Sequence, residues 1–245
     1  MKIDILTLFP EMFTSPLNAS ILKRAREKSL AEINTINIRD YALDRHKQVD
    51  DYPYGGGSGM VLKPDVVGRA IEDYKKAGTY VIYMSPQGQI LNQAKAIDLS
   101  KKNHLLILCG HYEGVDDRIL AEIDEEISIG DYILTGGEIP AMALVDAIVR
   151  LLPGVLGSEE SVEEESFSNA LLEYPHYTRP LEYKGRQVPP VLTSGHHEKI
   201  RIWRKKESLL NTLLNRPGLL LEREFDAEEK KLLSEILFGE NWFAH

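Results

Sequence analysis

This chain has very little cysteine and no long hydrophobic run. Its 245 residues include one cysteine, Cys109, so it can form neither an internal disulfide nor a cysteine-based metal cluster. No apolar stretch approaches the ~20 residues that cross a bilayer. The N-terminal segment MKIDILTLFPEMF reaches Pro10 and Glu11 too early for a signal peptide. We therefore expect a cytoplasmic protein that has no membrane partner.

Several catalytic motifs are also missing. None of the 7 histidines has H-x-x-x-H or H-E-x-x-H spacing, so we expect no metal site. The chain lacks G-x-G-x-x-G between a strand and a helix, G-x-x-x-x-G-K-[ST] and G-x-S-x-G, which argues against dinucleotide folds, P-loops and a hydrolase nucleophile. The net charge of -9 argues against indiscriminate nucleic-acid binding.

Short apolar runs alternate with amphipathic segments in the first half of the chain. Five runs have the length and residue content of strands: 3–9, 33–38, 80–84, 105–109 and 126–129. Three segments between them have helical spacing: 18–28, 64–76 and 92–101. This alternation predicts an α/β fold with a largely parallel sheet and helices on both faces. Residues 138–152 are predicted to form a mostly apolar helix, buried in the core or against a second subunit.

The composition changes at Ser158. Residues 158–173 hold six Glu and no basic residue, whereas residues 179–216 hold nine Lys or Arg against three Glu. We expect a domain boundary here. Beyond it the sequence predicts helices only, at 197–211 and 226–238, and Asp226 and Glu229 have the spacing of a capping box at the start of the second.

Glycines are concentrated where the predicted strands end. They lie in four loops: 54–59, 110–114, 130–137 and 154–157. Ordinary turn chemistry would explain any one of them. In an open α/β sheet, however, ligands bind outside the carboxyl ends of the strands, and glycine lets the backbone approach them closely. Three such loops after successive strands favour one shared pocket.

A basic stretch, 194–206, begins like a helix and contains five Lys or Arg residues. Exposed amides at a helix start, together with this positive charge, suit phosphate groups. A solvated helix is the alternative. In an otherwise acidic protein the local excess of positive charge favours selective RNA or DNA binding.

Eight ordered motifs resemble one known family. They are LFPEMF (8–13), DDYPYGGGSGM (50–60), YMSPQG (83–88), GHYEGVDDR (110–118), SIGDYILTGGE (128–138), RLLPGVLG (150–157), LEYPHYTRP (172–180) and VPPVL (188–192), the last followed by Ser-Gly and His197. From Met1 to about Leu221, the chain resembles the bacterial tRNA (guanine37-N1)-methyltransferases. These are enzymes of the SPOUT class that use S-adenosyl-L-methionine (SAM).

This resemblance implies an architecture. We expect a parallel-sheet SPOUT domain at 1–157 with a deep trefoil knot that holds SAM, a linker at 158–172, and a small all-helical tRNA-binding domain at 173–245. It also implies a homodimer with active sites at the subunit interface. The implied partner is tRNA, not DNA.

The resemblance also implies site residues. The SAM pocket corresponds to Tyr83, Met84, Ser85, Pro86, Gly110, Tyr112, Glu113, Gly114, Ser128, Ile129, Gly130, Tyr132, Leu134, Gly136, Gly137 and Pro140. The catalytic pair corresponds to Arg150, near the target base, and Glu165, which stands where the family has aspartate. The tRNA-binding residues, placed by the resemblance and by the basic stretch, are Ser194, His197, Lys199, Arg201, Arg204 and Lys205. The resemblance also implies Mg²⁺ as an ion that assists the reaction.

The chemistry explains why these residue types suit the reaction. Guanine N1 carries a proton, so methylation requires a proton acceptor, and a carboxylate serves this role. A cation stabilises the charge that builds toward O6. We therefore expect methyl transfer from SAM to N1 of guanine 37 in tRNA. Two alternatives stay open: a SPOUT enzyme that methylates another RNA base or a ribose 2′-OH, and a non-catalytic RNA-binding protein that kept the pocket.

Overall fold

The computed structural model describes residues 1–156, 165–167, 169–221 and 223–239. They belong to two compact units, Met1–Gly157 and Ser158–His245. Part of the predicted linker, including Glu163 and Glu164, lies outside the described residues, as do the predicted boundary at Ser158 and the last glycine of loop 154–157. No helix in the described ranges is long and apolar enough to cross a bilayer.

The first unit contains a five-stranded sheet and a small two-stranded one. Its strands are β1 (Lys2–Thr7), β2 (Glu32–Asn37), β3 (Asp50–Asp51), β4 (Val61–Leu62), β5 (Thr79–Ile90), β6 (His104–Cys109) and β7 (Glu125–Ser128). The large sheet has the order β2-β1-β6-β5-β7, and all its pairs are parallel. The predicted parallel sheet is confirmed, with strand ends displaced by a residue or two, except that β5 continues to Ile90.

Helices cover both faces of this sheet. They are α1 (Thr14–Leu17), α2 (Ser20–Glu27), α3 (Pro64–Tyr74), α4 (Gln93–Ser100) and α5 (Glu138–Val149). On one face, Ile5 of β1 packs with Leu22 of α2 and Leu144 of α5; on the other, Leu6 packs with Ile71 of α3. Successive side chains of a strand point to opposite faces, so β1 supplies both cores.

The apolar helix α5 begins at Glu138 and ends at Val149, slightly earlier than predicted. Ala141, Val145 and Ile148 lie one helical turn apart and are fully buried in the core. On another side of the helix Ile139 is 48% exposed. The core therefore buries one side of α5 and leaves apolar surface on another.

The described part of the second unit contains three α-helices. They are α6 (His197–Asn215), α7 (Gly218–Leu221) and α8 (Ala227–Phe238). Leu209 of α6 packs against Leu232 and Ile236 of α8 in a small core of its own. The predicted capping box is confirmed, since Asp226 and Glu229 each accept a hydrogen bond from the other's backbone N–H.

A hairpin shows that the prediction of helices alone is wrong for this unit. Strands β8 (Glu182–Tyr183) and β9 (Arg186–Gln187) pair antiparallel. The two residues between them, Lys184 and Gly185, have φ of +53° and +77°. Positive φ at both central positions is typical of a type I′ hairpin turn, and glycine adopts it readily at the second. The strands are too short to show an alternating pattern in the sequence.

The described part of the predicted linker packs within the second unit. Leu171 lies against the core of α6 and α8. The backbone N–H of Leu172 donates a 2.8 Å hydrogen bond to Thr212 Oγ1. These residues are therefore anchored to the helices.

Candidate functional site

A cavity of about 340 Å³ lies at the carboxyl ends of β6 and β7, beside the middle of β5, which runs between them. Its walls come from residues 83–87 of β5 and from two loops, 110–117 and 128–137. Every residue that the sequence assigned to the SAM pocket lines this one cavity. Of the predicted glycine loops, 110–114 and 130–137 form its walls.

A bulge in β5 shapes one wall. The pairing of β5 with β7 shifts register between Met84 and Gln89, so the segment between them leaves the regular ladder. A bulge is one of the few places in a sheet that accepts proline, and Pro86 lies in it. At Gly88 a Cβ atom would collide with the backbone of Glu126, so only glycine fits. The bulge brings Ser85 and Pro86 to the cavity surface.

The two loops touch each other through their glycines. The N–H of Gly137 donates a 2.7 Å hydrogen bond to the carbonyl of Gly110. His111 and Gly136 form an isolated antiparallel bridge. A Cβ at Gly137 would lie 2.8 Å from Cys109 Cα and from Gly110 N. Close backbone contact therefore requires glycine here, and this contact fixes the distance between the loops.

The charges at the cavity are negative. Glu113, Asp117 and Glu126 line it, and among the described lining residues there is no Lys or Arg. Burial, and secondarily the Glu126 carboxylate, raise the pKa of the Tyr83 phenol, which therefore stays neutral at pH 7. The cavity is suited to a ligand that carries positive charge and hydrogen-bond donors.

Cys109 lies at the end of β6, where loop 110–117 begins. Complete burial, and secondarily the Glu138 carboxylate, raise the pKa of its thiol well above the usual value. The thiolate is the nucleophilic form, so this cysteine is inert. In the described ranges no three or more His, Cys, Asp or Glu side chains are grouped to hold a metal ion.

Sequence reasoning missed several residues of the cavity. They are Gln87, His111, Val115, Asp117, Leu120, Glu126, Ile127, Ile133 and Thr135. Most of them fall inside the motifs that carry the family resemblance, so taking every residue of those motifs would have identified them. Leu120, Glu126 and Ile127 lie outside every motif. Glu126 and Ile127 belong to β7 and pair with β5 beside the cavity, and Leu120 lies between β6 and β7.

The predicted catalytic residues belong to different units. Arg150 directly follows α5 in the first unit, and its N–H donates a 3.2 Å hydrogen bond to the carbonyl of Asp146. Glu165 is half-buried in the second unit. The next residue, Ser166, accepts a 3.0 Å hydrogen bond at Oγ from the N–H of Glu173. Glu165 is therefore held next to an anchored turn.

Two of the predicted RNA-binding cations have acidic partners in their own unit. Arg201 pairs with Glu198 at 2.8 Å and with Glu228 at 2.6 Å. Lys205 pairs with Asp226 at 3.3 Å and with Glu229 at 3.4 Å. These contacts join α6 to α8, so much of the predicted positive charge is locally neutralised.

The start of α6 is more open. His197 is its first residue, and the N–H of His196 donates a 3.2 Å hydrogen bond to Ser194 Oγ. Lys199 is exposed and has no ion-pair partner in the described part of the chain. Arg204 stacks on the ring of Tyr174, with its guanidinium carbon 4.8 Å from the ring centroid. Ser194, His197 and Lys199 therefore lie together at one end of the helix.

Comparison with known proteins agrees with the motifs. The family model described as tRNA (Guanine-1)-methyltransferase TrmD matches residues 1–222. The chain is 68% identical to a tRNA (guanine-N(1)-)-methyltransferase of Syntrophomonas wolfei subsp. wolfei, over 97% of this chain and 98% of that one. It is 61% identical to a protein of the same name from Carboxydothermus hydrogenoformans, over 97% of this chain and 94% of that one. Identity to a Staphylococcus aureus protein of that name is 54%, with 98% of each chain covered. The chain therefore belongs to the tRNA (Guanine-1)-methyltransferase TrmD family.

Proposed function

We propose that this protein transfers a methyl group from SAM to N1 of guanine 37 in tRNA. One observation carries the proposal: residues from three separate motifs of a TrmD-family chain line a single cavity at the carboxyl ends of the parallel strands β6 and β7 and at the bulge of β5 between them. This is where open α/β sheets bind their ligands. A methyltransferase of this family takes its methyl group from SAM.

The cavity fits SAM in its chemistry. Ile129, Leu134 and Pro140 offer apolar surface for the adenine ring, and the glycine loops offer backbone groups for the ribose and the amino acid. Glu113 and Glu126 add negative charge opposite a ligand with two cationic groups and one anionic group. When bound, SAM supplies an electrophilic methyl group on its sulfonium.

The remaining chemistry falls to side chains of the protein. Glu165 takes the N1 proton of guanine, a role for which general bases contribute about 10²–10⁴ in rate. Arg150 stabilises the negative charge that develops toward O6. The resemblance also implies Mg²⁺. Among the described residues no three His, Cys, Asp or Glu side chains are grouped to hold a metal ion, so we assign no step to it.

We further propose that the SPOUT domain, residues 1–157, is knotted and that two copies form a homodimer. The knot is supported by the strand order, in which β6 lies between β1 and β5 although β5 precedes it in the chain. The dimer is supported by apolar surface beside the cavity. Ile133 is 81% exposed and Ile139 48% exposed, and a second copy of the chain would cover them.

We propose that residues 173–245 bind tRNA, joined to the SPOUT domain through residues 158–172, and that the enzyme acts in the cytoplasm. Support comes from the start of α6, where Ser194 and His197 lie beside Lys199, which has no acidic partner in the described ranges. Amide groups at a helix start favour phosphate. An unpaired anticodon-loop base also leaves its stack at low cost.

One assay tests the proposed reaction. The protein is incubated with isotopically labelled SAM and with two tRNA transcripts that differ only in having G or A at position 37, and the modified nucleoside is mapped. We expect label on N1 of guanine 37 and none on the A37 transcript. Label on a ribose 2′-OH or on another base would replace this proposal with a different SPOUT activity. No label with tight RNA binding would identify a non-catalytic protein.

A further inference from the structure

A buried carboxylate lies behind the cavity wall. Glu138, the first residue of α5, is 2% exposed. Its Oε1 accepts a 2.8 Å hydrogen bond from Thr7 Oγ1 at the end of β1. Thr7 is fully buried, and its Oγ1 in turn accepts a 2.9 Å hydrogen bond from the N–H of Phe9. Thr7 therefore fixes one oxygen of Glu138 in place.

The second oxygen of Glu138 faces His111, which lines the cavity. His111 Nδ1 lies 3.9 Å from Glu138 Oε2 and is buried, with no hydrogen-bond partner in the described part of the chain. The ring packs against Phe9 at 4.9 Å between centroids. A Cβ at Gly136 would collide with both Glu138 Oε2 and His111 Nδ1. The two side chains therefore support the point where loops 110–117 and 128–137 meet.

Electrostatics decides which ring nitrogen carries the proton. An unprotonated Nδ1 would direct a lone pair at a carboxylate, which is repulsive, whereas an Nδ1–H is attracted to it. The second hydrogen bond of a histidine generally sets its tautomer in this way. A ring that carries its single proton on Nδ1 keeps Nε2 as an acceptor. SAM offers donors in its ammonium group and its ribose hydroxyls.

We propose that Glu138 is a positioning residue for the SAM pocket: together with Thr7 it holds His111 at the junction of the two loops, in the tautomer protonated on Nδ1. This inference rests on the proposed function, because it assumes that SAM occupies the cavity. Glu138 does not line the cavity. It acts on the ligand through His111 and through the backbone of Gly136.

A second cluster of buried and half-buried polar side chains provides a control for this proposal. At the amino ends of β5 and β6, Asp4, His104 and Thr79 repeat the same three kinds of side chain. Asp4 is 0% exposed, and its Oδ2 lies 2.9 Å from His104 Nε2. His104 Nδ1 lies 2.8 Å from Thr79 Oγ1. None of these three residues lines the cavity. Removing this second carboxylate should affect stability without affecting the ligand.

The experiment compares Glu138→Gln with Asp4→Asn in the full chain. SAM affinity is measured by calorimetry, thermal stability by scanning calorimetry, and the histidine tautomers by ¹⁵N NMR, with His111→Gln used to assign the His111 signal. In Glu138→Gln the amide turns an N–H donor toward Nδ1, so we expect His111 to move its proton to Nε2. His111 Nε2 would then present an N–H to SAM in place of an acceptor, so one hydrogen bond to the ligand is lost and SAM binding should weaken ~10-fold. Asp4→Asn should lower the melting temperature and leave the SAM dissociation constant unchanged.

A second pair of variants covers the case in which Glu138→Gln does not fold. Thr7→Ser keeps the hydroxyl that binds Glu138, and Thr7→Val removes it at nearly the same volume. We expect Thr7→Val to weaken SAM binding several-fold and Thr7→Ser to bind SAM as tightly as the wild type does.

Three results would overturn the inference. They are an unchanged SAM affinity in Glu138→Gln, an unchanged His111 tautomer, or equal losses of SAM affinity in Glu138→Gln and Asp4→Asn. If Glu138→Gln does not fold, equal SAM affinity in Thr7→Val and Thr7→Ser would overturn it. A wild-type protein that does not bind SAM would instead contradict the proposed function.

Discussion

Gly137 offers the sharpest test of the cavity's geometry. Its backbone lies so close to the end of β6 that a Cβ would be 2.8 Å from Cys109 Cα and Gly110 N. Ordinary contact begins at 3.4 Å, so Gly137→Ala must separate these backbone segments by the difference between 3.4 and 2.8, or about 0.6 Å. Because the atoms it meets belong to the backbone, no side chain can rotate away.

The same displacement weakens a hydrogen bond. The 2.7 Å bond from Gly137 N–H to the Gly110 carbonyl would lengthen beyond the usual ~3.2 Å limit. Overpacking costs about 1–3 kcal/mol and the lost hydrogen bond about 1 kcal/mol, so we expect Gly137→Ala to lower the free energy of unfolding by roughly 2–4 kcal/mol. A displacement of about 0.6 Å in the cavity wall should also weaken SAM binding ~10-fold, the equivalent of about one lost hydrogen bond.

Gly68→Ala is the matched control. Gly68 lies within α3, and a Cβ there would meet only Ile119 Cδ1, at 3.7 Å, which is ordinary contact. In a helix, alanine is about 0.5–1 kcal/mol more favourable than glycine, so this variant should be slightly more stable and bind SAM normally. Chemical denaturation and calorimetry measure both quantities. If Gly137→Ala matched the wild type in stability and SAM affinity, the loop contact described here would be wrong.

Three further predictions concern catalysis, assembly and tRNA. Glu165→Gln should keep SAM and tRNA affinity but lose ~10²–10⁴ in single-turnover methylation, with Glu165→Asp active; a wild-type rate in Glu165→Gln would remove it from the mechanism. Ile139→Lys should shift sedimentation at micromolar concentration from dimer to monomer, whereas Leu43→Lys, at a position 83% exposed, should not; a wild-type monomer with full activity would contradict the dimer. Lys199→Glu should weaken tRNA binding and reduce its log-log salt slope by up to about one, leaving SAM affinity alone, and Arg201→Glu should also lower the melting temperature; an unchanged slope in Lys199→Glu would make this helix an ordinary solvated surface.

The central strands of the sheet could be predicted from sequence because they are buried on both faces. Such strands appear as continuous apolar runs, as Leu105 to Cys109 does, and their limits follow from the polar residues around them. The sequence predicts a β5 that is too short, because Pro86 and Gly88 ordinarily end a strand. Here they form a bulge, and the ladder resumes at Gln89. Strand resumption depends on a partner strand that local composition does not reveal.

The residues that line the cavity could be predicted from motifs, but the buried residues that hold them in place could not. Glycines in GHYEG and LTGGE indicated close backbone approach, and the structure brings those loops into contact. In the sequence Glu138 ends the motif SIGDYILTGGE and begins an apolar helix, and neither pattern assigns it a role. Its burial against Thr7 joins residues 131 positions apart in the chain, and spacing carries no signal over that distance.

Counting charges along the sequence overestimates the positive charge of residues 194–206, for a related reason. Residues 194–206 look strongly basic when considered alone. The acids that neutralise Arg201 and Lys206, namely Glu228 and Glu235, come 27 and 29 residues later and face them across the pairing of α6 with α8. Exposed ion pairs of this kind contribute little to stability, because water and salt screen them. Their larger effect is on the field, because a paired cation attracts phosphate less than a free one does. The attraction for RNA should therefore be concentrated at the start of α6, where Lys199 has no such partner in the described ranges, and not spread along the helix.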